Sequence, residues 1–152
     1  MKNITISVNH TKIHTEVPAS QTLLDFLRSN GIMSVKRGCE SGECGACAVL
    51  VDDEPRASCI TLTLQADGKE VKTVDALSAR PDLSELQKRF IEVGAIQCGY
   101  CIPALLLLAE HYLSSAVSPS EKELREAISG VLCRCTGYVK PIEAIKKEIK
   151  SK

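Results

Sequence analysis

The spacing of apolar residues changes along the chain, and in the first half it predicts a sheet with one helix. Apolar and polar residues alternate at 4–8 (ITISV) and 13–17 (IHTEV), which predicts two strands joined by a turn at 9–12. The run at 22–31 (TLLDFLRSNG) has apolar residues at helical spacing and ends in Asn-Gly, so it predicts a short helix. Further strands are predicted at 47–52, 57–64 and 70–74, with turns at 52–56 and 66–69.

The second half has apolar residues at helical spacing throughout. Helices are predicted at 82–94, 103–115, 120–129 and 141–152. Ser120 and Glu123 have the spacing of a capping box, and prolines stand at the start of the second and the fourth of these helices. The change near residue 76 predicts an α+β protein with two subdomains, residues 1–76 and 77–152. Subdomains of this size have small hydrophobic cores, which bound metals often supplement.

Composition argues against several classes of function. Lys and Arg total 19, Asp and Glu total 19, and the net charge of zero is unlike that of a nucleic-acid-binding protein. Only 3% of the residues are aromatic, so bases would find few stacking partners. The longest apolar run, 102–109, is far shorter than the roughly 18 residues that a membrane span needs, and the first residues do not resemble an export signal. We therefore expect a cytoplasmic protein that binds neither nucleic acid nor membrane.

Cysteine is the unusual residue of this chain. Disulfides rarely persist in a reducing compartment, so clustered cysteines there indicate metal ligands or catalytic thiols. The eight fall into two sets of four, one in each predicted subdomain: Cys39, Cys44, Cys47 and Cys59, then Cys98, Cys101, Cys133 and Cys135.

The first set has the spacing C-x4-C-x2-C, which is that of plant-type [2Fe–2S] ferredoxins. A single loop with this spacing can wrap a cluster with three thiolates, and Cys59 can supply the fourth from the strand predicted at 57–64. Glycines in the loop (GCESGECG) allow left-handed backbone and bring N–H groups close to sulfur. The alternatives are a zinc site, a disulfide or a buried thiol cluster, although His10, His14 and His111 follow no ligand pattern.

The second set has the spacing C-x2-C, then C-x-C after a long gap. Cys98 and Cys101 precede the apolar helix predicted at 103–115, whose free N–H groups can face an anionic cluster. This spacing alone also suits zinc. Because two sites of four ligands use all eight cysteines, two clusters of the same kind are favoured over a mixture.

Together the two sets resemble a known family. The stretches GCESGECGACAV, the SC at 58–59, QCGYC followed by Pro103, and CRCTGY resemble the small iron–sulfur subunit of the molybdenum hydroxylases. That group includes xanthine dehydrogenase, aldehyde oxidoreductase and carbon monoxide dehydrogenase. The resemblance implies a β-grasp, ferredoxin-like [2Fe–2S] subdomain over 1–76 and a four-helix [2Fe–2S]-binding subdomain over 77–152.

The resemblance also implies a function. The chain is expected to be a non-catalytic, electron-transfer subunit that relays electrons from a molybdopterin cofactor on a large subunit, through two [2Fe–2S] clusters, to FAD on a medium subunit. The assembly is expected to be a dimer of heterotrimers. Gln97 and Cys135 are expected to contact the pterin, whereas without the resemblance Gln97 would be interpreted as a polar residue bonded to backbone near a helix start.

Three positions depart from the pattern of the family, namely Ile102, Ala104 and Val131. We expect them to affect packing rather than cluster ligands. A free-standing two-cluster ferredoxin and a zinc-stabilised interaction module remain alternative functions. The sequence does not distinguish purine, N-heterocycle, aldehyde, carbon monoxide and aromatic acyl-CoA as substrates of the complex.

Overall fold

The first half of the protein is a five-stranded sheet. The computed structural model describes residues 1–77, 82–116 and 118–150. The sheet has the order β2-β1-β5-β3-β4; β1 and β5 are parallel and all other neighbours are antiparallel. Both hairpins turn on two residues with positive φ, Asn9-His10 and Asp52-Asp53. The strands are β1 (Lys2–Val8), β2 (Thr11–Val17), β3 (Ala48–Val51), β4 (Glu54–Ala57) and β5 (Glu70–Lys72).

One helix, α1 (Leu23–Ser29), packs on this sheet. Thr22 caps it, since the Thr22 Oγ1 accepts a hydrogen bond from the Asp25 N–H at 3.1 Å. The apolar face of α1 and the alternate residues of the strands form the first core: Ile4, Ile6, Val8, Leu23, Leu24, Phe26, Leu27, Val49, Val51 and Val71. A mixed sheet packed against one helix is the β-grasp, ferredoxin-like arrangement, so this prediction is confirmed.

The second half is helical, as predicted. Ser84 and Ser120 both form capping boxes, with Gln87 and Glu123 respectively. The helices are α2 (Glu85–Glu92), α3 (Ile102–Ser115), α4 (Glu121–Ile128) and α5 (Val139–Lys150). Around the apolar α3 they form a second core that includes Leu86, Phe90, Leu105, Leu106, Leu124, Ile128, Ile142 and Ile145. The last helix begins two residues earlier than predicted, so Pro141 lies within its first turn, where its missing N–H is not needed.

The strand predicted at 57–64 is wrong. The turn predicted at 52–56 is confirmed at Asp52-Asp53 but ends there, and Glu54–Ala57 form β4, with Pro55 in a strand at the sheet edge. Residues 58–62 then form a turn and an isolated bridge, and Thr63–Ala66 form a 3-10 turn. Because the hairpin loop has only two residues, β4 begins earlier than predicted and ends before Cys59. Cys59 therefore lies in a turn rather than in a strand.

The two cores are in contact along β3. Ala48 of β3 and Val74 and Leu77 of a second 3-10 turn pack against the helical core. The boundary between 76 and 77 stays a prediction, and its vicinity at 78–81 lies outside the described residues. Among the helices that the structure describes, none is long and apolar enough to cross a membrane.

Two candidate metal centres

The first set of cysteines is brought together by a loop and a turn. Cys39 and Cys44 lie on the loop between α1 and β3, Cys47 directly precedes β3, and Cys59 lies in the turn after β4. The Cys47 and Cys59 side chains are buried, Cys44 is half-buried and Cys39 is exposed. The site therefore has an inner pair anchored in the first core and an outer pair near the surface.

Backbone N–H groups converge on the outer pair. The Cys39 Sγ accepts hydrogen bonds from the N–H groups of Ser41, Glu43 and Cys44 at 3.3–3.4 Å. The Cys44 Sγ in turn accepts from the Cys39 N–H at 3.4 Å. The Ser41 hydroxyl and these N–H groups lower the pKa of the Cys39 thiol to about 6. A thiol surrounded in this way is set up to be a thiolate ligand.

The inner pair is held by the turn after β4. The Ser58 hydroxyl donates to the Cys47 carbonyl at 2.7 Å, and the Cys47 and Cys59 thiols are neighbours. Burial is the main cause that raises the pKa of Cys59 to about 11, and the neighbouring Cys47 thiol adds to the rise. The Gly42 N–H also faces Cys59, and a Cβ on Gly42, whose φ is +81°, would lie 2.7 Å from the Ile60 Cδ1. Because the exposed Ile60 side chain can move aside, it is the left-handed φ that favours glycine at 42, where the loop turns over Cys59.

The second set is arranged in the same way. Cys98 and Cys101 precede α3, and Cys133 and Cys135 lie between α4 and α5. The Cys101 thiol is a neighbour of the Cys133 thiol, and the Cys135 thiol is a neighbour of the Cys98 thiol. Cys101 is buried and Cys133 half-buried, whereas Cys98 and Cys135 are exposed. Burial and then the Cys133 neighbour raise the pKa of Cys101 to about 12.

Two residues that the sequence analysis did not assign hold the C-x-C turn. The Tyr138 hydroxyl donates to the Val131 carbonyl at 3.0 Å and accepts from the Cys133 N–H at 2.8 Å. The Thr136 Oγ1 lies 3.1 Å from the Cys133 Sγ. Burial opposes ionisation of Cys133, but the Thr136 hydroxyl and nearby N–H groups outweigh it and lower the pKa of the thiol. Both residues belong to the CRCTGY stretch, so the match of that stretch to a known pattern was the sequence signal that could have identified them.

The donors suit a two-iron cluster at each site. In a [2Fe–2S] cluster each iron takes two of the four thiolates, and at both sites the thiols stand as two neighbouring pairs. Among the described residues no three His, Cys, Asp or Glu side chains are grouped to hold one metal ion. Two of the three histidines have partners elsewhere: His10, in the turn between β1 and β2, pairs with Glu70, and His14 of β2 with Thr5. The assignment of the eight cysteines as ligands stays a prediction.

Gln97 lies beside Cys98 and is exposed, and its side chain has no hydrogen bond to any described residue. It precedes α3 by several residues, so it does not act as a helix-start residue there. The three departures from the family pattern, Ile102, Ala104 and Val131, are at most 7% exposed and belong to the second core. They therefore contribute to packing, as expected.

Comparisons with known proteins agree with this arrangement. The family described as "2Fe-2S iron-sulfur cluster binding domain" matches residues 6–78, and the family described as "[2Fe-2S] binding domain" matches residues 73–146. The nicotinate dehydrogenase small FeS subunit of Eubacterium barkeri is 42% identical, over 96% of this chain and 95% of its own. The xanthine dehydrogenase iron-sulfur-binding subunit of Escherichia coli O157:H7 is 39% identical, over 89% and 86%.

Among solved structures, quinoline 2-oxidoreductase from Pseudomonas putida 86 has a chain that superposes with a TM-score of 0.90 at 41% identity. The match covers 95% of this chain and 90% of that chain. The likeness thus extends over both halves of the protein and both candidate centres.

Proposed function

The chain belongs to the family of iron–sulfur small subunits of xanthine dehydrogenase and related molybdenum hydroxylases, and on that premise we propose that it is the electron relay of such an oxidoreductase complex. It has two [2Fe-2S]-binding domains. When bound, each cluster accepts and releases one electron. The observation that carries this proposal is the arrangement of eight thiols as two pairs at each of two adjacent sites.

The ligand assignment follows from the pairs. Cys39 with Cys44, and Cys47 with Cys59, would hold the two irons of the first cluster; Cys98 with Cys135, and Cys101 with Cys133, would hold those of the second. Each site has at least one buried thiol on its inner side and at least one exposed thiol on its outer side, and the outer side would be accessible to partners.

Hydrogen-bond donors around both sites would stabilise an anionic cluster. An oxidised cluster with four thiolates has a net charge of about −2, which N–H and O–H donors to sulfur stabilise. At the first site these donors are the N–H groups of Ser41, Glu43 and Cys44. At the second site the Thr136 hydroxyl has this role, because a thiolate at Cys133 can only accept.

The chain's partners would be a large subunit with a molybdopterin cofactor and a medium subunit with FAD, in a dimer of heterotrimers. The rim of the second site supports a docked partner there: Ile96, Leu132 and Val139 are 42%, 61% and 62% exposed. Apolar side chains grouped around a candidate redox site are typical of a surface that another protein covers. Gln97 and Cys135, both exposed beside them, would face the pterin. The chain itself would bind no substrate, and a cytoplasmic location stays a prediction.

The test is an EPR spectrum of the full chain, purified without oxygen and reduced with dithionite, with iron, sulfide and zinc counted on the same sample. We expect two distinguishable S = 1/2 signals and about four irons per chain. One signal with about two irons and a bound zinc ion would refute the second centre and, with it, the relay. A chain with both signals that forms no complex with co-expressed large and medium subunits would instead be a free-standing ferredoxin.

A further inference from the structure

The two cysteine loops touch each other through their backbones. The Cys44 carbonyl, on the first loop, accepts a hydrogen bond from the Leu132 N–H at 2.9 Å. Leu132 directly precedes Cys133, so one hydrogen bond joins a residue of the first site to the neighbour of a residue of the second. Close by, the Tyr100 hydroxyl donates to the Arg37 carbonyl. These two bonds connect each of the two loops of the second site with the loop of the first.

The contact is too close for any side chain at 45. A Cβ on Gly45 would lie 1.9 Å from the Gly130 carbonyl oxygen and 2.9 Å from the Val131 Cα. Non-bonded heavy atoms need roughly 3.5 Å, so a methyl group here would move the loops apart by more than one ångström. The φ of Gly45 is +67° as well. Close approach of two backbones explains why glycine follows Cys44.

We propose that Gly45 and the Cys44–Leu132 hydrogen bond act as a spacer that sets the separation of the two metal centres. The separation is then a property of this chain and not of its partner subunits. The proposal rests on the proposed function, because it needs a cluster at each site. Gly45 and Leu132 are positioning residues: neither side chain is a ligand, and they act through the cysteines beside them.

The experiment uses the magnetic interaction between two reduced clusters, which weakens with the cube of their separation and does not depend on catalytic activity. In the full chain, we expect low-temperature EPR to show split or broadened signals when both clusters are reduced. The split is expected to be absent when only one is reduced. In Gly45→Ala, with both sites still filled, the splitting should be smaller than in the unmodified chain.

Two alanine variants are matched controls. Gly31→Ala introduces the same left-handed strain, at φ +82°, but its Cβ would meet nothing within 4 Å. Gly130→Ala alters the other side of the contact, again with nothing within 4 Å of the new Cβ. Both should keep the splitting of the unmodified chain. An unchanged splitting in Gly45→Ala with four irons bound would overturn the proposal, and so would equal losses in Gly45→Ala and Gly31→Ala.

A second measurement covers the case in which Gly45→Ala does not fold. The Leu132 side chain is 61% exposed, yet its N–H is bonded to Cys44. Residue-resolved hydrogen exchange by mass spectrometry on the unmodified chain should therefore show a protected Leu132 amide. Exchange of this amide at the rate of an unstructured peptide would overturn the spacer. An unmodified chain that does not bind two clusters would refute the proposed function. A chain that binds both clusters but lacks the expected splitting or the protection of the Leu132 amide would refute the spacer alone.

Discussion

Tyr138→Phe should loosen the second centre and leave the first intact. The substitution removes only a hydroxyl, which donates to the Val131 carbonyl and accepts from the Cys133 N–H. Val131 is 0% exposed and Cys133 is half-buried, so water can replace the lost partner at Cys133 better than at Val131. Leaving a buried polar group unpaired costs about 1–3 kcal/mol. For one fully and one partly buried group we expect a local destabilisation of about 2–3 kcal/mol.

That free energy translates into a rate that can be measured. Since about 1.4 kcal/mol is a factor of ten, the population of the open C-x-C turn should rise roughly 30- to 150-fold. If opening and closing are fast compared with capture of iron by a chelator, loss of the cluster follows this population. The assay is the decay of each EPR signal in excess chelator at 25 °C, with the signal of the first centre as an internal reference.

Tyr112→Phe is the matched control. Tyr112 packs against the same core from α3, and its hydroxyl makes no hydrogen bond to a described residue. It should lose both clusters at the rate of the unmodified chain. The reasoning would be refuted if Tyr138→Phe and Tyr112→Phe lost the second cluster equally fast, because the two hydroxyl bonds would then contribute nothing to that turn.

Three further outcomes test the ligands and their surroundings. Cys44→Ser should abolish the EPR signal of the first centre and keep the second, and retention of both full signals would contradict the assignment of this thiol. Cys135→Ala should do the reverse, and in the assembled complex it should also slow reduction of the first cluster by substrate, which an unchanged rate would disprove. Thr136→Val removes one hydrogen-bond donor from Cys133, so it should lower the reduction potential of the second cluster by about 20–60 mV. An EPR-monitored titration measures this potential. An unchanged or higher value would show that the Thr136 hydroxyl does not donate to the cluster ligand.

The sequence predicted the parts of the molecule that are local along the chain. Helix α4 carries its predicted capping box in four consecutive residues, and α3 begins with the apolar run 102–109, so their positions follow from short-range patterns. Helix α2 begins at Glu85 rather than at 82, after a capping box at Ser84 that the sequence analysis did not identify. The strand predicted at 57–64 failed because the apolar side chains that alternate in ITLTL are not the buried ones: Ile60 and Leu62 are exposed. The buried residues are Thr63 and Ala66, which lie in a 3-10 turn. The spacing of apolar residues cannot distinguish a pleated strand from a 3-10 turn when the preceding hairpin loop is shorter than expected.

Long-range contacts could not be predicted in this way. The pairing of Cys98 with Cys135 and of Cys101 with Cys133 depends on how the loop before α3 meets the loop between α4 and α5, and the spacing alone allows other pairings. The bonds of Tyr138 follow from the left-handed φ of +62° at that residue, which turns its side chain back over the C-x-C segment. Asn and Gly are the residues expected in such a conformation, so residue preferences do not predict it for a tyrosine, and the sequence signal lay in the CRCTGY stretch instead.

The same division into an inner and an outer pair occurs at both centres, although they are built from different secondary structure. Cys47 and Cys59 are anchored in the first core, and Cys101 is anchored in the second. A small core gains stability when a metal joins segments that are distant in sequence, and each inner pair is placed to do so. The outer pairs cannot serve this purpose equally, because Cys39, Cys98 and Cys135 are exposed. The outer thiols therefore leave each site open on one side, whereas the inner thiols connect it to a core.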